Sequence, residues 1–204
     1  MINNFDWKLF LATFASILVV FSYIPYFRDI FAKKTKPHLY TWLIWTVTQG
    51  TAAVALIYGG GKFGSISLIV GTVLVLAIST LSFRYGTKNI TRNDTILLVV
   101  AFFAIIIWWI LKSPLLSVIM ITIIDVIGFI PTIRKSYTEP YSETISFWIM
   151  MIIIDILSIV SNAQYNFLTV TYLAMLTIGN TTVAVVCLSR RKVLQNPNKL
   201  TPLE

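Results

Sequence analysis

Seven apolar runs of seventeen to twenty-five residues alternate with short polar stretches along this chain. They cover Trp7 to Phe31, Leu39 to Tyr58, Ser65 to Phe83, Thr95 to Leu111, Leu115 to Ile133, Thr144 to Val160, and Phe167 to Leu188. At 1.5 Å per residue, runs of this length are matched to a hydrocarbon layer about 30 Å thick. A helix satisfies its own backbone hydrogen bonds in lipid and an open strand does not, so the pattern predicts an all-α polytopic membrane protein with seven transmembrane helices. The first run is expected to stay in the mature protein: Asp6 and Lys8 lead into it, no A-x-A cleavage site follows, and it is too long for a leader.

Composition strengthens this picture. Of the 204 residues 57% are hydrophobic and only 12% charged, about half the charged share of a soluble domain. The net charge of +8 does not point to nucleic acid, because it follows the loops. Arg28 lies in the last turn of the first run, and Lys33, Lys34 and Lys36 follow it; Arg84, Lys88 and Arg92 follow the third; Arg134 and Lys135 the fifth; Arg190, Arg191, Lys192 and Lys199 the last. Only Lys8, Lys62 and Lys112 fall on the other side. The positive-inside rule then places the N-terminus outside and the C-terminus in the cytoplasm, a parity that seven spans satisfy. The short, Ile-rich chain is expected in a bacterial inner membrane.

The chain also matches itself. Tyr23-Ile24-Pro25-Tyr26-Phe27-Arg28, Thr35-Lys36-Pro37 and Trp45 are answered by Phe129-Ile130-Pro131-Thr132-Ile133-Arg134, Thr138-Glu139-Pro140 and Trp148. The offset is 106 residues at the first element and 103 at the second, as a three-residue loop deletion produces. Both prolines fall near the ends of helices predicted to run the same way, so the copies are parallel. Two parallel three-helix units need one extra crossing between them, giving a 3+1+3 arrangement. One membrane domain, 1–204, is expected: a first repeat at 7–86, a linker helix at 93–112, a second repeat at 113–192 and a cytoplasmic tail at 193–204.

In these features the chain resembles the SWEET and PQ-loop transporter superfamily, whose members carry parallel repeats. The family's Pro-Gln pair stands here as Pro25-Tyr26 and Pro131-Thr132, which argues against its lysosomal branch. The resemblance implies a small-solute transporter working by alternating access, with a sugar, amino acid, vitamin or similar metabolite as substrate. It also implies proton coupling through Asp155, which follows Pro131 by 24 residues as Gln49 follows Pro25. The 103-residue offset pairs Asp155 with Ala52 instead, and both registers stay open. A non-transporting receptor or chaperone of the same fold, or a subunit of a membrane complex, is the alternative.

Candidate chemistry is sparse. Apart from Asp29, the third residue from the end of the first run, Asp125 and Asp155 are the only carboxylates inside the predicted spans. They lie roughly 12 and 16 Å from the same side by helical rise. A charged Asp at such depth costs about 2.5 to 3.5 kcal/mol, so each is expected to face a cavity or a partner. Asn180 is a substrate-binding candidate, since related transporters place an Asn in the last helix, or else a bridge between packed helices. Asp125, Gln49, Trp45 and Trp148 join it, the tryptophans being ring-stacking surfaces or interfacial anchors. Trp7, Trp42, Trp108 and Trp109 read as belt residues. Pro25 and Pro131 each remove a helical hydrogen bond and are candidate hinges, the alternative being fixed kinks; Pro37 and Pro140 are expected to open the helices that follow. Gly59-Gly60-Gly61 reads as a turn.

No Lys lies in the last span, which excludes a retinal Schiff base. His38 is the only histidine and Cys187 the only cysteine, so no metal site, cofactor, disulfide or catalytic constellation is expected. The expected partners are the lipid bilayer, a small-molecule substrate and, in some assemblies, further copies of the chain; nucleic acid is not among them.

Overall fold

The computed structural model describes residues 6–58, 60, 64–111 and 114–195. Lys62, Lys112, Lys199, Gly59 and Gly61 lie outside the described residues, as do the side chains of Trp108 and Trp109. The described residues form seven α-helices and no strand: α1 (Trp7–Phe31), α2 (Leu39–Tyr58), α3 (Gly64–Tyr85), α4 (Arg92–Leu111), α5 (Pro114–Thr138), α6 (Ile145–Ser161) and α7 (Phe167–Gln195). Each occupies one of the seven apolar runs. The Asp6 carboxylate caps α1 by accepting from the Lys8 and Leu9 N–H groups, both at 3.1 Å, which satisfies two of the orphan donors at a helix start.

Two helices run more than a full turn past the C-terminal ends of their apolar segments. α5 continues past Ile133 because Arg134 and Lys135, on its added turn, find polar partners on neighbouring segments. α7 continues past Leu188, where the Arg191 guanidinium donates to the Pro140 carbonyl at 2.9 Å and the Glu143 carbonyl at 2.7 Å. Pro140 opens a single 3-10 turn, Pro140–Ser142, and α6 starts only after its N-cap, Thr144.

α3 packs between α1 and α2, and α7 between α5 and α6; α1 meets α6, α2 meets α5, and α4 lies against α5 and α2. The ends sort by charge. The α1–α2, α3–α4 and α5–α6 connections meet the end of α7 at one end of the bundle, held by Lys36 N–H to the Ser142 carbonyl at 3.1 Å and Thr87 N–H to the Pro37 carbonyl at 3.0 Å. This is the basic end. At the opposite end the Lys8 ammonium donates to the Asn162 carbonyl at 2.6 Å.

Apolar residues face outward as well as inward: Phe10, Phe14, Ile17, Phe21 and Ile24 on α1 are exposed, as are Val73, Leu76 and Phe83 on α3. Three described helical segments, Trp7–Phe31, Ser65–Tyr85 and Thr169–Gln195, are long and apolar enough to cross a membrane. A protein with outward faces of this kind fits an integral membrane setting better than water.

Candidate functional site

Aromatic residues crowd the centre of the bundle because successive turns of α1, α2, α5 and α6 aim their largest rings at one another. Trp42, Trp45 and Trp148 are 1%, 4% and 1% exposed. This corrects the belt reading of Trp42 and removes the anchoring alternative for the other two, because all three rings pack among buried aromatic neighbours in the core. Trp45 lies 4.6 Å from Phe129 and 6.1 Å from Trp148, both edge to face. Tyr26 lies 4.5 Å from Phe147 and 5.3 Å from Trp42. Edge-to-face pairs of this sort add about 0.5–1.5 kcal/mol each beyond burial.

Trp42, Trp45, Phe129, Phe147 and Trp148 line a cavity of about 20 Å³, room for one water molecule. Trp45, Trp148, Gln49 and Asn180, four residues singled out by sequence, all line it, together with Tyr23 and Phe129. The Gln49 Oε1 is buried and accepts no hydrogen bond. An orphaned buried acceptor costs about 1–3 kcal/mol, so its position in a cavity wall calls for a reason.

The two deep carboxylates flank this cavity. Asp155 on α6 accepts from the Asn180 side-chain amide on α7 at 2.8 Å. Asp125 on α5 accepts from the Thr48 hydroxyl on α2 and from the Tyr172 hydroxyl on α7, the latter at 3.4 Å. The Trp45 indole N–H points at the Asp125 carbonyl at 3.4 Å. Both aspartates are 3% exposed, and among the described residues neither forms an ion pair. Asp155 is thus joined to the cavity wall through Asn180, and Asp125 through Trp45. Thr48 and Tyr172 were not legible as partners, because a Thr and a Tyr on apolar helices carry no signal until the helices are docked.

Pro25 and Pro131 both lie inside continuous helices. Each leaves the carbonyl four residues earlier without its helical donor, which is compatible with a bend at that point.

The basic end is closed by a second network that sequence reasoning missed. Lys135, counted there as a loop cation, is fully buried and ion-paired with Glu143; its ammonium also donates to the Lys36 carbonyl at 2.7 Å. Glu143 in turn accepts from the Trp148 indole N–H at 3.0 Å, so this network touches the cavity wall. Thr35 and Thr144 share a hydrogen bond beside it, and Thr144 donates to Asp29 at 3.0 Å. A third cluster joins Arg134 to Asp94 at 2.7 Å, with the His38 Nε2 3.5 Å from the same carboxylate and not aligned as a hydrogen bond. Burial lowers the His38 pKa from the ordinary 6.5 to about 4, although Asp94 opposes the shift, so this imidazole is neutral at pH 7. The only available signal for these clusters was the density of Lys, Arg and Glu beside Pro-containing turns.

Among the described residues no three His, Cys, Asp or Glu side chains converge as a metal site would require. Compared with known proteins, the chain matches no family model, no curated protein and no solved structure.

Proposed function

We propose that this chain is a small-solute membrane transporter of the SWEET and PQ-loop kind. On this reading seven spans form two parallel three-helix units around a linker helix, the basic end faces the cytoplasm of a bacterial cell, and the central cavity opens to each side in turn. The observation that carries the proposal is the cavity itself: flat aromatic faces, an unpartnered Gln49 carbonyl and the Asn180 amide, with two carboxylates held just behind. Aromatic faces suit a ring or sugar, and the two amides suit a polar solute that both donates and accepts.

The neighbour relations support two equivalent halves. Exchanging α1, α2 and α3 for α5, α6 and α7 turns the α1–α3 contact into α5–α7, α2–α3 into α6–α7, and α1–α6 into α5–α2, and all six contacts occur. α4 has no counterpart, as a linker would not. A cavity with room for one water is too small for a metabolite, so in this reading the arrangement corresponds to a closed stage, and substrate entry requires the halves to part. Asp155 is the coupling group in this reading, its proton exchanging as Asn180 trades the carboxylate for substrate.

A thermal-shift screen of sugars, amino acids and vitamins at two pH values identifies the ligand, and uptake into proteoliposomes tests the mechanism. Asp155→Asn is expected to cut proton-driven uptake by about tenfold or more while counterflow of the same solute persists, since only the coupling step needs the proton. Uptake independent of pH in the parent protein, with an equally active variant, removes the coupling role. A ligand that binds and yet never exchanges across the bilayer points instead to a receptor on the same fold.

A further inference from the structure

At the basic end, away from the central cavity, a cleft of about 330 Å³ opens between the α1–α2 connection and the end of α3. Lys33, Lys36, Arg84 and Lys88 line it. All four are exposed, and among the described residues none forms an ion pair. Other cations at this end are treated differently: Arg134 and Lys135 each hold a carboxylate, and Arg191 holds two carbonyls. Four of the unpaired cations at this end are therefore gathered in one concave place, while Lys34, Arg92 and Lys192 lie outside it.

The cleft is built rather than incidental. Its two connections are tied by the Thr87 N–H to the Pro37 carbonyl at 3.0 Å. Gly86 permits this approach, since a Cβ there would lie 2.3 Å from the Ser82 carbonyl oxygen and 2.9 Å from that of Pro37. Lys33 adopts φ 58°, a left-handed conformation that Gly adopts freely and that costs a Lys about 1–2 kcal/mol. That conformation closes the end of α1, the Lys33 and Lys34 N–H groups donating to the Ile30 and Asp29 carbonyls at 2.9 Å, and it sets Lys33 in the cleft lining. Glu139, the cleft's carboxylate, accepts from the Asn89 side-chain amide at 2.9 Å and keeps its charge, so the lining sets four cations against one anion and stays positive. One rim is apolar: Tyr85 lines the cleft and meets the exposed Phe31 edge to face at 5.6 Å.

We infer that this cleft is a binding site for a phosphate group, carried by an anionic lipid headgroup or by a soluble phosphate. Four convergent cations match a phosphate's charge and its several acceptor oxygens, and the volume falls within the range of ligand sites, about 300–1,000 Å³. The aromatic rim places the cleft where a headgroup would meet the apolar belt, which is the one point that rests on the membrane reading.

The test uses the full chain in detergent micelles. Native mass spectrometry titrates phosphatidylglycerol against phosphatidylcholine, and a thermal-shift arm titrates inorganic phosphate alone. The expected result is phosphatidylglycerol binding about tenfold or more tighter than phosphatidylcholine, weakened by salt, and reduced about tenfold or more in both Lys33→Gln/Lys36→Gln and Arg84→Gln/Lys88→Gln. Arg190→Gln/Lys192→Gln, at the same end outside the cleft, is expected to bind within about twofold of the parent. Helical circular dichroism checks folding, and if one cleft pair fails to fold the other decides. A response to inorganic phosphate without lipid preference assigns the soluble source and keeps the site. No response to either ligand, or equal loss in the Arg190/Lys192 variant, overturns it.

Discussion

Lys135 and Glu143 show how much the surroundings of a single residue decide. Buried together, with Trp148 and Tyr26 also aimed at the carboxylate, they form a pair whose separate members would be uncompensated charges. Lys135→Met alone is expected to destabilise the protein by about 3–5 kcal/mol in reversible unfolding. Lys135→Met/Glu143→Gln should recover a good part of that, because Gln still accepts from the indole without carrying a charge. A double variant no more stable than Lys135→Met would count against a penalty from an unpaired Glu143 charge.

His38 supplies a pH signature at the same scale. Its folded pKa, about 4, lies below the ordinary 6.5, so between those values the unfolded chain binds a proton that the folded chain refuses. Stability from this group is therefore full above pH 6.5 and declines as pH falls towards 4. The melting temperature is expected to drop through that window in the parent protein and to drop less in His38→Gln. Parallel curves for the two proteins count against the assignment.

At the scale of elements, helix contacts rest on a few small residues. A Cβ on Gly179 of α7 would lie 2.4 Å from the Phe129 ring of α5, and that ring is backed by Trp45 at 4.6 Å. The ring has little room to retreat, so Gly179→Ala is expected to cost about 1–3 kcal/mol by overpacking. Adding Phe129→Leu should restore part of the loss in the same denaturation assay, since a smaller side chain frees the space the methyl group needs. The seven helices themselves were readable from hydropathy, and α1 and α2 have the predicted bounds. The longer ends of α5 and α7 were not, because polar residues that find tertiary partners continue a helix as readily as apolar ones.

For the whole molecule the relevant quantity is which end is shut. Thr35, in the α1–α2 connection, and Thr144, at the start of α6, hydrogen-bond across the basic end beside the Lys135–Glu143 pair. If the transport proposal holds, these contacts break in every cycle. Thr35→Cys/Thr144→Cys in a Cys187→Ala background is then expected to lose uptake on oxidation and regain it on reduction. Continued transport with the disulfide formed would move the gate elsewhere.

The same comparison separates what the order of residues dictates from what folding adds. Long apolar runs specify seven helices and an outward face suited to lipid, because backbone hydrogen bonding in each helix is local and hydropathy sums along the chain. Trp45, Trp148, Gln49, Asn180, Asp125 and Asp155 stood out early for a related reason: polar and aromatic residues are conspicuous in an apolar background. Their partners belong to tertiary structure. Asn180 meets Asp155 across 25 residues, Thr48 meets Asp125 across 77, and Trp42 moved from a supposed membrane belt to the core. Such pairings depend on which helix faces turn towards each other, and that is decided by packing between segments distant in the chain, which no local pattern encodes.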